Sequence, residues 1–211
     1  MMAFTELAVQ EFLDALASSE PVPGGGSTAA LGGSLAAGLV SMVCYLTAGK
    51  KGYEDAWDAM AAVLEESEKL RHRLAALLEE DTRAYGRVME AYRLPRKTDE
   101  QKKARTRAIQ AALKEAAEVP LTIAESCGRV LELALPTAEQ GNRWAISDAG
   151  AGAYLAEACM RAALLNIDVN LNSIRDEEYI RVTRARIEAL TQGKAELRDR
   201  VVAVVRAQMS A

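Results

Sequence analysis

Between Glu20 and Lys50 this chain carries no charged side chain. Two prolines, Pro21 and Pro23, lead into Gly24, Gly25 and Gly26, then Ser27 and Thr28, and then a long run of Ala, Gly, Ser and Leu. Proline fixes the approach of the chain, and glycine leaves bare backbone with no side chain in a ligand's way. Ser27 or Thr28 is placed to cap a helix, expected over 27–48 and ended near Gly49 and Gly52. Ala29, Gly33 and Ala37, and beside them Ala30, Ser34 and Gly38, recur every fourth residue. Such rows let a second helix approach closely. The stretch is long enough to cross a bilayer, which takes about 20 apolar residues. It has few large apolar groups, however, and no basic cluster on its N-terminal side, so a helix buried in protein is expected. The glycine segment has two readings. It is either a helix start whose free N–H groups accept an anion, or a solvent loop ahead of a core helix.

The remainder reads as helix. Ala, Leu, Glu, Arg and Lys dominate, and helices are expected over 5–17, 54–93, 99–135, 147–174 and 176–208. Pro120 predicts a kink or restart after Val119, residues 136–143 a connection, and Gly193 a break in the last helix. Residues 166–172 alternate as a strand would, but helical flanks and the lack of a partner strand favour helix. The fold class expected is all-α, a single antiparallel bundle of five to six helices in one domain spanning 1–211.

Half of the residues are hydrophobic, enough for a sizeable core, and the net charge of -4 argues against general nucleic-acid binding. Cys44, Cys127 and Cys159 are odd in number, far apart and set among apolar neighbours. They read as buried thiols in a reducing compartment. Residues 1–7 contain no basic group, so no secretory leader is expected and the location expected is the cytoplasm.

Exclusions narrow the chemistry. The one histidine, His72, sits between Arg71 and Arg73 on a charged stretch, which disfavours histidine catalysis or ligation. No Walker-type lysine follows the glycines. Acid–base work then falls to carboxylates. In the 54–93 segment the apolar stripe runs Trp57, Met60, Leu64, Leu74, Leu78, Tyr85, Val88 or Met89, and Tyr92. Asp81 falls on it, three after Leu78 and four before Tyr85. A desolvated carboxylate has a raised pKa, as proton transfer requires. The alternatives are an ion pair with Arg83 or Arg87, or a stripe that turns and leaves Asp81 wet. Ser147 and Asp148, before Gly150 and Gly152, read first as a helix cap and second as a further carboxylate site. Asn166 and Asn170 lie one turn apart on an otherwise apolar stripe, as polar readers or buried hydrogen-bonding groups. Basic residues cluster at Lys50 and Lys51, at Arg93, Arg96 and Lys97, and at Lys102, Lys103, Arg105 and Arg107. Most read as solvated faces, with Lys50 and Lys51 candidates for an anionic ligand.

Taken together, these residues resemble a known family. The matching pieces are 21–27; Ser41 to Val43 with Leu46 and Thr47; Gly49 to Lys51; Asp81 with Ala84 and Tyr85; Arg93 to Pro95; Ala117 to Leu121; Gly141 and Asn142; Ser147 and Asp148; and Asn166 with Asn170. In this order they resemble the formiminotransferase-cyclodeaminase family, in its cyclodeaminase domain and its stand-alone cyclodeaminase and cyclohydrolase members. The resemblance covers nearly the whole chain and includes nothing of the formiminotransferase half.

It implies an all-helical homodimer with a tetrahydrofolate derivative, with or without a polyglutamate tail, bound near the subunit interface. It implies no metal, no cofactor beyond that substrate, no nucleic acid and no membrane. The reaction implied first is closure of 5-formiminotetrahydrofolate to 5,10-methenyltetrahydrofolate with loss of ammonia. The alternative is hydrolysis of the methenyl bridge to 10-formyltetrahydrofolate. A folate-binding helical protein without catalysis is the non-enzyme alternative. Asp81, and after it Asp148, would carry protons. Pro23, Gly24, Gly25, Gly26 and Ser27 would lie against the folate, with Lys50 or Lys51 at its glutamate tail. Asn166 and Asn170 would read the pterin edge or brace the carboxylates.

Overall fold

A computed structural model describes residues 3–210. Its α-helices are α1 (Val9–Leu16), α2 (Gly25–Tyr45), α3 (Trp57–Arg93), α4 (Asp99–Gln140), α5 (Ile146–Leu171), α6 (Glu177–Thr191) and α7 (Lys194–Ser210). The described residues contain no strand. The all-α bundle expected from composition is what forms, and residues 166–171 are helical despite their alternation. The last charged segment is broken into α6 and α7 at Gly193, whose φ of 71° is a left-handed conformation that glycine adopts without cost.

The centre of the bundle is α2, which packs against α3, α4 and α5. Its small residues are what permit this. A methyl group added at Gly33 would lie 2.5 Å from the Cys127 sulfur and about 3.2 Å from Leu74. Ala30, Ala36, Ala37 and Val40 are fully buried. By length and composition α2 could cross a membrane, but more than half of its most apolar stretch is covered by the other helices. All three cysteines are free and buried, and burial pushes the Cys44 and Cys159 thiols up to about 11.

Several boundaries differ from the sequence reading. The segment 5–17 is a 3-10 turn (Phe4–Glu6) followed by α1, because Leu7 and Ala8 are extended. Of its expected apolar face only Phe12 is buried, packing edge-to-face on Phe4, while Val9 and Leu13 are exposed. Neither Ser27 nor Thr28 caps α2: the N-cap is Gly24, and Ser27 lies inside the first turn. Ser147 and Asp148 do not cap α5 either. A 3-10 turn (Arg143–Ala145) precedes that helix, and Asn142 caps the turn by accepting from the Trp144 N–H at 3.2 Å. The helix α4 neither stops at Leu135 nor restarts at Pro120; both Pro120 and Pro136 lie inside it. A proline in a helix interior costs about 3 kcal/mol. Leu121, Leu131, Ala134 and Ala138, all fully buried, oppose that cost by locking α4 to its neighbours.

Lengths then decide where space is left. At 1.5 Å per residue α3 and α4 run about 55 and 63 Å, whereas α2 runs about 31 Å. Beyond the N-terminus of α2, the continuing parts of α3, α4 and α5 have no fourth helix between them. A smaller apolar cluster of Val88, Leu113, Ala117, Ile167 and Leu171 floors that region.

Candidate active site

The unfilled region is a cavity of about 440 Å³. Gly24, Gly25 and Gly26 close its inner end beside Asp81, and Tyr85, Met89 and Tyr92 continue one wall along α3. Ala116 and Pro120 of α4, and Asn166, Val169 and Asn170 of α5, form the rest. Asp81 is partly buried, on the inward stripe where its spacing placed it. Tyr85 and Tyr92 share the stripe but are not core: they are 40% and 42% exposed and line the cavity. The apolar reading of these tyrosines is corrected for a simple reason. The helix that would have covered them begins at Gly25.

The N-terminus of α2 does hold an anion, and it belongs to the chain itself. Ser27 Oγ donates to Asp81 Oδ2 at 2.8 Å. Gly26 is obligatory here, since a methyl group at that position would stand 2.3 Å from Asp81 Oδ1. Burial pushes the Asp81 carboxyl above its ordinary range, and the Ser27 hydroxyl and backbone N–H offset part of the rise. Neither Arg83 nor Arg87 neutralises it, Arg87 being paired with Glu115 at 3.0 Å. The contrast is Glu157, a buried carboxylate on α5 that is bound by both Arg161 and Arg198. One buried acid is locked between guanidiniums; the other faces a cavity with only hydroxyl and amide partners.

The asparagines are oriented by the backbone. Pro120 has no N–H, so the carbonyl of Ala116, four residues earlier, loses its helical partner. Asn170 Nδ2 donates to that carbonyl at 3.1 Å and to the Asn166 carbonyl at 3.0 Å. Asn166 Nδ2 donates to the Ala162 carbonyl at 3.0 Å. Both side chains thus commit their amide N–H groups to the helices and leave the Oδ1 atoms as acceptors at the cavity wall. The signal in the sequence was the pairing of a helix-interior proline with an asparagine on a neighbouring helix. Only a known helix register could have revealed it.

Other expected site residues lie elsewhere. Pro23 is buried behind the glycines and lines a separate cleft with Leu16, Thr28 and Cys159. Asp148, in the first turn of α5, is about 27 Å along that helix from Asn166. Lys50 and Lys51 follow the C-terminal end of α2, about 31 Å from its glycines. There Lys50 lies over the Tyr53 ring, 5.7 Å from its centroid. Within one chain, therefore, Asp148 is not paired with Asp81, and neither lysine reaches the cavity. The physical reason is that α2 and α5 span the bundle and carry these residues at their opposite ends. Gly141, Asn142, Leu46 and Thr47 form a structural lock at that end. The Asn142 N–H donates to Thr47 Oγ1 at 2.9 Å and its Nδ2 to the Leu46 carbonyl at 3.0 Å.

An all-α bundle with a carboxylate-based cavity at the start of a glycine-led helix defines the class, and the comparisons name the family. The formiminotransferase-cyclodeaminase family profile matches residues 8–189, and the chain belongs to that family. It is similar to the methenyltetrahydrofolate cyclohydrolase of Methylorubrum extorquens, at 43% identity over 96% of this chain and 97% of that protein. It is 35% identical to the formimidoyltransferase-cyclodeaminase of Gallus gallus over 80% of this chain, which spans only 31% of that longer protein. In structure it resembles the formiminotetrahydrofolate cyclodeaminase of Thermotoga maritima, with a TM-score of 0.86 and 30% identity, covering 96% and 97% of the two chains. The resemblance read from the motifs thus holds, and the protein is an enzyme of folate one-carbon metabolism.

Proposed function

We propose that the protein hydrolyses 5,10-methenyltetrahydrofolate to 10-formyltetrahydrofolate, with Asp81 as the proton-transfer group. The observation that carries this reading is a partly buried carboxylate without a cationic partner, at the inner end of a cavity walled by tyrosines and asparagine acceptors. The methenyl bridge is an amidinium cation, and a carboxylate left unneutralised by the chain complements it. Water adds to the methenyl carbon as Asp81 takes one of its protons. The carbon–N5 bond then breaks, and Asp81 returns that proton to N5. The remaining hydroxyl proton is released as the formyl carbonyl forms. The asparagine Oδ1 atoms accept from the N–H groups of the pterin edge and hold the bridge over Asp81. No cofactor beyond the folate is required, and the cytoplasmic location expected from the sequence accompanies this reading.

The full-length similarity to a cyclohydrolase ranks hydrolysis ahead of cyclodeamination, reversing the order implied by the motifs alone. The Thermotoga maritima structure supports cyclodeamination as the second reading. In that reaction N10 attacks the formimino carbon, and Asp81 carries the N10 proton to the departing ammonia. One assay separates them. Loss of the near-ultraviolet methenyl absorbance faster than the blank supports hydrolysis. Appearance of that absorbance from formiminotetrahydrofolate, with ammonia release, supports the second reading. Folate bound with neither change would leave a binding protein.

A homodimer is part of the proposal. Leu35 and Tyr45 on α2, and Tyr154, Leu165 and Val169 on the neighbouring α5, are exposed, with Val169 at 70% also lining the cavity. An isologous interface on this face, with its two-fold axis across the helices, would bring Asp148 and Lys50 of a second copy toward the cavity. Leu165→Glu should then yield a monomer by light scattering; an unchanged dimer would move the interface elsewhere.

A further inference from the structure

The cavity continues outward, and its continuation has the opposite charge. Eleven residues of α3, about 16 Å, separate Asp81 at the inner end from Tyr92 at the outer. Tyr92 and Ser173 are shared with a second cavity of about 320 Å³, lined also by Arg105, Thr106, Ile109, Gln110 and Arg175. Thr106 is shared in turn with a third, of about 410 Å³, lined by Lys102, Lys103 and Arg107. Five cations line this extension and no carboxylate does, although the whole chain is acidic at -4.

Most of these cations lack an acidic partner. Lys102 pairs with Asp99 at 2.9 Å. Arg105 is held instead by the Tyr92 carbonyl, through contacts of 3.0 and 3.2 Å, and stacks 5.6 Å from the Tyr92 ring centroid. Among the described residues Lys103, Arg107 and Arg175 form no ion pair. The path is polarised: one carboxylate inside, tyrosines along the middle, cations outside. It fits a ligand with a cationic head, a flat apolar middle and a tail of several carboxylates.

We infer that the groove from Arg105 and Arg175 to Lys103 and Arg107 binds the poly-γ-glutamate tail of the substrate. Polyglutamylated folates are therefore the preferred substrates. This rests on the folate reading of the cavity. It also reassigns the tail from Lys50 and Lys51, which lie at the far end of α2 in the same chain. Exposed ion pairs are individually weak, so the advantage accumulates over several carboxylates and is screened by salt.

The test is the KM of the full-length protein for its folate substrate bearing one or five glutamates. The pentaglutamate should show a KM lower by about tenfold, shrinking as ionic strength rises. Arg105→Ala with Arg175→Ala should bring the two KM values together. Because Arg105 also holds the Tyr92 carbonyl, Lys103→Glu with Arg107→Glu provides an independent variant, and it should reduce the ratio as well. Lys50→Ala with Lys51→Ala should leave the ratio unchanged. Turnover of both substrates with equal KM overturns the tail site alone. So does a ratio that survives both groove variants, or one lost only in the Lys50 and Lys51 variant. Neither folate being turned over or bound would overturn the folate reading and this inference together.

Discussion

The half of the bundle that contains α2 and the half beyond its N-terminus share the same long helices, yet one is solid and the other hollow. In the solid half, glycine and alanine let helices meet across sulfur and methyl contacts, as at Gly33 against Cys127 and Leu74. In the hollow half α3, α4 and α5 continue without a fourth helix, and their inner faces carry Asp81, two tyrosines and two asparagines. Gly26 stands at the boundary. Like Gly33 it leaves room for a neighbour, but the neighbour is the Asp81 carboxylate. The same residue type makes a core in one place and orients an ionisable group in the other.

Substitutions on the two sides should separate chemistry from stability. The largest effect is expected from Asp81→Asn, which should lower kcat by about 10²-fold or more through loss of the proton-transfer group. It should also raise the melting temperature at neutral pH. The Asp81 pKa is raised in the folded state, so stability is fully present below the ordinary value of 3.8 and lost as pH rises through the folded value. Removing the charge restores what is lost, and the difference in melting temperature should vanish near pH 3. A rate near wild type would remove Asp81 from the mechanism.

Next comes Gly26→Ala, which displaces the carboxylate. A shift of that kind can cost about 10-fold to 10²-fold in rate, read in kcat while circular dichroism stays native. Gly33→Leu should do the reverse, with an overpacking cost of about 1–3 kcal/mol. That corresponds to a fall of roughly 2–4 °C in melting temperature per kcal/mol, with the kinetics of the surviving folded protein unchanged. If Gly33→Leu instead impaired kcat at full stability, the division between the two halves would fail. Ser27→Ala is the mildest. It removes a hydrogen bond that lowers the Asp81 pKa, so the acid limb of the pH–rate profile should move to higher pH. An unmoved limb would mean that Asp81 does not set it.

Much of the site was legible because it rests on periodicity. Asp81 stood on an apolar stripe, Asn166 and Asn170 on another, and the glycines before an uncharged helix. What one-dimensional spacing lacks is the length of each helix relative to its neighbours. That is why Tyr85 and Tyr92 read as core when they are walls. It is also why Asp148, Lys50 and Lys51 were grouped with residues that stand a helix-length away. The prolines of α4 misled for a related reason: local cost argues for a break, while burial of the flanking leucines and alanines argues for continuity, and only packing weighs the two.

The order of residues alone determined that this chain is helical, that α2 is built to be surrounded, and that its chemistry falls to carboxylates. Those properties follow from side-chain volume, charge and a 3.6-residue period, all local. Tertiary structure decided that α2 begins level with Asp81, that Ser27 turns its hydroxyl to that carboxylate rather than to its own helix, and that Asn170 answers the carbonyl freed by Pro120. Each of these depends on the relative register of separate helices, which is settled only when their side chains meet in the packed bundle.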